Sequence, residues 1–162
     1  MINTKTAPRR DVHFRTIEDV AADLDRVESA PAAGTLTTTG NWTPGQICEH
    51  VAILMECAVD GFPSKAPAPI RWLITALYKK KALSGKPMPA GFKIPNQAAF
   101  LRPGDQTSDA DGIARLRRII GRVHAGERFT HPSPVFGKLT HDQWVTLQSG
   151  HAGMHMSFLK LS

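Results

Sequence analysis

Three histidines have the spacing to hold a metal ion. His151 and His155 lie four residues apart on the apolar stripe of a predicted C-terminal helix, and His50 lies on the apolar stripe of an early helix. Side chains at i and i+4 have Cβ atoms about 5–6 Å apart, so both rings can reach one ion. His50 comes early in its helix and the pair late in theirs, so antiparallel helices would bring the three rings together.

Three imidazole ligands favour a catalytic metal site. Histidine suits Zn, Ni, Cu or Fe(II), and three neutral ligands leave a coordination position for water or substrate. The structural alternative is that each ring is satisfied by a backbone carbonyl, as a single core histidine usually is. Three histidines on facing stripes are harder to explain in that way. Gln46, one turn before His50, is a candidate partner for the ligand ring or a helix-capping residue.

Other catalytic signatures are absent from the sequence. Glu49 precedes His50 but does not build the HExxH motif of metalloproteases, and no general acid or base can be assigned. There is no GxSxG, GxxxxGK[ST], GxGxxG or CxxC motif. The remaining histidines are weaker candidates: His13 in the N-terminal arm, His124 near a helix end, His141 in a first helical turn, and His131 in a Pro-rich loop, where a turn-stabilising role is favoured over one in the pocket.

Composition predicts an ordinary globular chain. At 162 residues it is expected to form a single domain over 1–162, large enough to bury a core without disulfides. Cys48 and Cys57 fall in one predicted helix, nine residues and about 13.5 Å apart, so they cannot bridge each other. No apolar run reaches the length of a membrane span, and no apolar h-region accompanies Arg9 and Arg10. A cytoplasmic location is therefore expected.

A net charge of +6 comes from two basic stretches. Arg71, Lys79–Lys81 and Lys86 lie in a stretch, 71–86, without an acidic residue. Residues 115–128 carry five arginines opposed only by Glu127. Such stretches attract phosphates or anionic surfaces, but a solvated helix face is the more usual explanation, so nucleic-acid binding is disfavoured.

Four main helices are predicted, and each has a recognisable start. They run over about 16–29, 43–60, 108–124 and from 140 through the C-terminus. Thr16, Thr43 and Thr140 are predicted N-caps with Asp or Gln three residues later, and Ser108 or Asp109 caps the third helix. Residues 30–41 are read as a connector, and no convincing strand pattern is present.

Residues 62–107 form a Pro-rich insertion between the second and third main helices. Pro69 to about Leu83 is predicted to be a short helix within it, with lysines at its C-terminal end. This stretch could serve as a lid or an interfacial element, but simple packing is the favoured interpretation. The fold class is all-α, most simply a four-helix bundle with this long insertion.

The motifs resemble those of one protein superfamily. The segment 41–50 (NWTPGQICEH) resembles the start of the second helix in the DinB/YfiT-like superfamily, and the segment 151–155 (HAGMH) resembles its closing HxxxH. His131-Pro132 through Leu139, followed by Trp144, is similar to one uncharacterised branch. The resemblance implies an up-down-down-up bundle in which His50, His151 and His155 are the metal ligands.

The resemblance also implies chemistry. Characterised relatives are often zinc or nickel enzymes that use a low-molecular-weight thiol, as bacillithiol S-transferases and mycothiol isomerases do, with the thiol bound to the metal as thiolate. The expected function is thus metal-dependent transfer or isomerisation on a small-molecule substrate. The alternative is a non-catalytic ligand-binding or stress-response bundle with structural histidines. Helix bundles of this kind often pair, so a homodimer is an open alternative to a monomer. Two departures stand out: the long insertion, and Gly153 between the two ligands, which either permits close packing or loosens the site.

Overall fold

The fold is predominantly helical. A computed structural model describes residues 2–30, 36–92 and 94–161. Its elements are α1 (Ile17–Ser29), β1 (Leu36–Thr38), α2 (Pro44–Asp60), α3 (Ala68–Ala82), a 3-10 helix (Asn96–Leu101), α4 (Asp109–His124), α5 (His141–Met156) and β2 (Leu159–Leu161). The four main helices predicted from the sequence correspond to α1, α2, α4 and α5.

Side-chain caps define where the main helices begin. Thr16, Thr43 and Thr140 each form a capping box, in which the threonine hydroxyl accepts a backbone N–H while the Asp or Gln three residues on accepts that of the cap. Ser108 caps α4 by accepting the N–H of Asp111. These contacts satisfy backbone donors that a helix leaves unpaired at its start, and they confirm the predicted N-termini.

The four main helices enclose one hydrophobic core. Helix α2 packs against α4 and α5, and α1 packs against the same two helices. Leu24, Val51, Leu116 and Trp144 are among the side chains that the core buries completely. Helices α2 and α4 meet closely at Gly45 and Gly112, where a Cβ on either glycine would overlap the backbone of the opposite helix.

Two short strands correct the sequence-based prediction. Leu36–Thr38 pairs antiparallel with Leu159–Leu161, so Leu36 lies opposite Leu161. Part of the expected connector 30–41 is therefore a strand, and α5 ends at Met156 instead of continuing through the C-terminus. Both predictions were wrong because strands of three residues are too short to show an alternating pattern. Residues 31–35 of that connector lie outside the described residues.

The insertion 62–107 contains the predicted helix and an additional 3-10 helix. Helix α3 has no buried residue, and it rests on the loop after α4 through hydrogen bonds from two of its side chains. Thr75 Oγ1 donates to the carbonyl of Val135 at 2.9 Å, and Lys79 Nζ donates to that of Phe136 at 3.1 Å. Packing against the core, the interpretation favoured above, holds only at its C-terminal end, at Ala82 and Leu83. Among the described helices, none combines the length and apolar character that a bilayer crossing requires.

Candidate metal site

Helices α2 and α5 run antiparallel and bring the three histidines to one place. Gln148 Nε2 on α5 donates to the carbonyl of Leu54 on α2 at 3.0 Å. One turn earlier along α2 and one to two turns later along α5 lie His50, His151 and His155. The early position of His50 thus meets the late positions of the other two, as the sequence analysis expected.

The three rings form a compact cluster. One ligand nitrogen from each histidine lies within 4.8 Å of those of the other two. Ring centroids are 4.4 Å apart for His50 and His155, 4.6 Å for His151 and His155, and 5.0 Å for His50 and His151. Within the described part of the chain, no Asp, Glu or Cys joins this cluster.

Hydrogen bonding fixes the orientation and protonation of one ring. His50 Nδ1 lies 2.6 Å from the carbonyl oxygen of Leu101, in the 3-10 helix. Since a carbonyl can only accept, Nδ1 carries the proton and Nε2 keeps its lone pair. A second-nitrogen hydrogen bond of this kind is the usual way in which a metal-binding histidine is held.

The donor set fits a divalent transition metal. His151 Nδ1 is buried and has no hydrogen-bond partner among the described residues. Burying a ring nitrogen without a partner destabilises the fold. A bound cation would offset such a destabilisation by accepting the lone pair of a ring nitrogen in this cluster. Three histidine nitrogens could therefore bind a metal ion here.

Electrostatics keeps the rings neutral. Burial lowers the pKa of His50, although the Leu101 hydrogen bond opposes this. The pKa of His151 lies well below the ordinary value because of burial and the neighbouring His50, and that of His155 because of burial and both neighbours. Neutral imidazoles offer lone pairs without proton competition at neutral pH.

Trp42 covers one side of the cluster and was not recognised as a site residue from the sequence. Its ring stacks on His155 with centroids 5.5 Å apart and an interplanar angle of 20°, and it meets the His50 ring at 4.8 Å. Trp42 immediately precedes the Thr43 cap of α2, which fixes its position next to the first turns of the helix. The Asn-Trp-Thr-Pro run was the available signal.

Gly153 allows the N-terminal arm to approach α5. The Phe14 ring lies 3.4 Å from where a Cβ on Gly153 would be. Phe14 and Gly153 are both buried. The nearest neighbour at this glycine is thus the N-terminal arm, at an ordinary van der Waals distance, and not another helix.

Two polar neighbours of His50 are turned away from the cluster. Gln46 accepts the N–H of Thr43 and donates to the carbonyl of Gly104, so its capping role is the one observed. Glu49 accepts from Thr107, the N–H of Gly104 and Arg115. Burial would raise the pKa of Glu49, but these hydrogen bonds outweigh it and hold the pKa below its usual range.

The other histidines and the cysteines lie outside the cluster. His131 lies beside Gly61 at the far end of α2, where its backbone N–H donates to Ala58 and its carbonyl accepts from Trp144 Nε1. His141, in the first turn of α5, accepts the N–H of Phe129 through Nδ1 at 3.1 Å. Cys48 and Cys57 are both free, and burial raises their pKa values to about 12 and about 11. These thiols stay protonated, which argues against a nucleophilic role.

Comparison with known proteins gives a family and no further relative. No match to this chain is found among curated proteins or among solved structures. A family match covers residues 6–161 and therefore includes all three clustered histidines. The chain belongs to the family described as "Protein of unknown function (DUF1569)".

Proposed function

We propose that the chain is a metal-dependent enzyme in which His50, His151 and His155 bind one divalent ion, most suitably Zn or Ni. The observation that carries the proposal is the convergence of three ligand nitrogens within 4.8 Å of one another. Small side-chain rotations that draw these nitrogens together would place all three at the usual nitrogen–metal distance of about 2.0–2.2 Å from one ion. The fold that goes with this proposal is a DinB/YfiT-like four-helix bundle formed by α1, α2, α4 and α5.

The proposed chemistry is thiol-dependent transfer or isomerisation on a small molecule. A bound divalent cation would supply Lewis acidity, which lowers the pKa of a coordinated thiol or water towards neutrality. The protein holds the His50 ring through Leu101, keeps all three imidazoles neutral, and uses Trp42 to limit water on one side. No general acid or base is assigned to a residue of this chain.

The alternative is a non-catalytic ligand-binding or stress-response protein with structural histidines. The observation that favours it is the hydrogen bond between His50 and Leu101, because carbonyl pairing is also how a structural core histidine is satisfied. The two functions differ in whether metal is bound and whether it changes reactivity.

Metal analysis of protein purified without a histidine tag tests metal binding. We expect about one equivalent of Zn or Ni per chain, falling below about a tenth in His155→Ala. His13→Ala is the matched control, because His13 is exposed and lies outside the cluster. Protein that binds neither ion after addition of Zn²⁺ or Ni²⁺ would contradict the proposal.

Reactivity separates an enzyme from a structural site. The metal-loaded protein is incubated with a chloronitroarene and a panel of low-molecular-weight thiols, and conjugate formation is followed by absorbance. An enzyme is supported if the metal-loaded native chain forms the conjugate faster than two controls. These controls are His155→Ala and a sample of His13→Ala from which the metal has been stripped. If the native chain binds one equivalent of metal but reacts no faster than these controls with any thiol, the non-catalytic alternative is favoured.

A further inference from the structure

The net positive charge of the chain comes from one segment. Residues 61–104, here called the basic segment, hold eight Lys and Arg residues and no Asp or Glu. All 14 acidic residues lie elsewhere, together with 12 basic ones. The net positive charge therefore belongs to the part of the molecule that includes α3 and the 3-10 helix.

The basic segment also carries the exposed apolar surface. Except for Ile2, every large hydrophobic side chain that is exposed in the described residues lies in it. Trp72 is 75% exposed and Phe92 is 74% exposed. The remaining ones are Ile70, Leu73, Leu77 and Tyr78, all on α3. Large apolar side chains left exposed in one segment point to an interaction surface.

The attachment of α3 turns its apolar stripe outwards. Thr75 and Lys79 face the body of the protein through their hydrogen bonds to Val135 and Phe136. Ile70, Leu73 and Leu77 follow at three- and four-residue spacing, which places them on the opposite side of the helix. The stripe is therefore free of contacts that would bury it, and Lys80 and Lys81 are exposed next to it.

We propose that this face of the basic segment docks on the surface of an anionic lipid bilayer. Helices that lie in a membrane interface carry exposed aliphatic side chains with Lys and Arg nearby, and Trp and Tyr concentrate at the headgroup level. In the described part of the chain, no basic side chain of the segment forms an ion pair with a carboxylate. Lipid phosphates and carboxylates provide the missing opposite charge.

Other occupants fit this face less well. A second copy of the chain would bring two positively charged faces together, which opposes self-association through it. A nucleic acid would satisfy the charge but leave the aliphatic stripe of Ile70, Leu73 and Leu77 without an apolar partner. A lipid surface satisfies both the charge and the apolar side chains.

Vesicle cosedimentation of the full chain tests the proposal. We expect binding to vesicles of mixed phosphatidylglycerol and phosphatidylcholine, at least about tenfold weaker binding to phosphatidylcholine alone, and weakening as salt is raised. Each Lys near an anionic surface strengthens binding about fivefold, so Lys80→Glu with Lys81→Glu should weaken it by more than tenfold.

A matched charge variant controls for net charge alone. Arg26→Glu with Arg118→Glu makes the same change at exposed positions outside the basic segment and should weaken binding far less. Equal weakening in both double variants, or equal binding to the two kinds of vesicle, would overturn the proposal. Metal content of the Lys80→Glu, Lys81→Glu variant should stay unchanged, so this test fails or succeeds independently of the metal site.

The fluorescence of Trp72, which is 75% exposed on another side of α3 from Ile70, Leu73 and Leu77, reports whether the first turns of α3 enter the interface. Trp144 is buried and Trp42 is half-buried, so a blue shift on anionic vesicles should come from Trp72 and be lost in Trp72→Phe. Absence of the shift in the native chain argues against insertion. Preference for duplex DNA over vesicles, or a dimer in solution that quenches the shift by covering Trp72, would assign the face to those partners and overturn the proposal.

Discussion

Helix α4 and the basic segment both have a run of basic residues, but in the described parts of the chain three arginines on α4 form ion pairs and no basic residue of the segment does. On α4, Arg115 pairs with Glu49 and Glu56 of α2, Arg117 with Asp25 and Glu28 of α1, and Arg122 with Asp60 and Glu127. Among the residues that the structure describes, the lysines beside the apolar stripe of α3 form no ion pair with an acid. A charge run in a sequence is therefore a solvated face or an interaction surface depending on which acidic residues the fold brings opposite to it.

Apolar residues show the same contrast. The stripe of α4 buries Leu116, Ile119 and Ile120 against the other helices. On α3, Ile70, Leu73 and Leu77 also recur at three- and four-residue spacing, yet they stay exposed. The chain therefore has a packed helical body, formed by α1, α2, α4 and α5, and a surface segment that contains α3. Apolar side chains stabilise the fold by burial in the first and contribute little to its stability in the second.

The largest effect should come from the closest contact within the packed body. Gly112→Ala places a methyl group on the backbone of Gly45. The two helices must move apart to accommodate it, because a helix backbone cannot bend away as a flexible side chain can. We expect a loss of about 3 kcal/mol in the free energy of unfolding, measured by urea denaturation. Gly121→Ala on the same helix is the control, since no atom lies near its Cβ position, and it should gain about 0.5–1 kcal/mol. Equal changes in the two variants would contradict the close approach.

An intermediate effect should come from the buried ion pair at Asp23. Its carboxylate is 4% exposed and accepts two hydrogen bonds from Arg10, which also donates to the carbonyl of Met156. Asp23→Ala leaves the Arg10 charge without its partner, so we expect a loss of about 2–3 kcal/mol in thermal or urea unfolding. Asp25→Ala removes an exposed ion pair with Arg117 and should cost less than about 0.5 kcal/mol. A cost for Asp25 as large as that for Asp23 would show that burial does not decide the difference.

The smallest effect should come from the surface segment. Leu73→Ser with Leu77→Ser changes two exposed side chains on the outward stripe of α3, so unfolding should shift by less than about 0.5 kcal/mol. Leu116→Ala in the buried stripe of α4 is the comparison and should cost about 2–5 kcal/mol. A loss above about 1 kcal/mol in the α3 variant would mean that its leucines are covered in solution.

Local patterns made the pair of histidines on α5 and the helix starts predictable. His151 and His155 lie one turn apart, and each threonine cap acts within three residues, so the sequence contains the whole signal. The contribution of Leu101 could not be predicted because a backbone carbonyl has no sequence signature and acts across 51 residues. The pairing of Leu36 with Leu161 joins residues 125 positions apart, which no periodicity within a segment can indicate.

The ion pairs of Arg115 and Arg117 were hidden for a related reason. Each arginine meets acids from other helices, 59 to 92 residues away. A count of charges along the sequence shows the excess of arginines on α4 but not the acidic residues that other helices place beside them. Side-chain partners across a fold must be known before a basic stretch can be called unpaired.

The carbonyl of Leu101 makes the histidine cluster depend on a part of the chain that supplies none of its rings. Any shortened variant that removed the 3-10 helix would keep every imidazole but lose the acceptor that dictates which nitrogen of His50 bears hydrogen. The ring could then rotate or change tautomer, and ion affinity would fall although no ligand had been altered. Transplanting the site to another scaffold would accordingly require three pieces of backbone, not two.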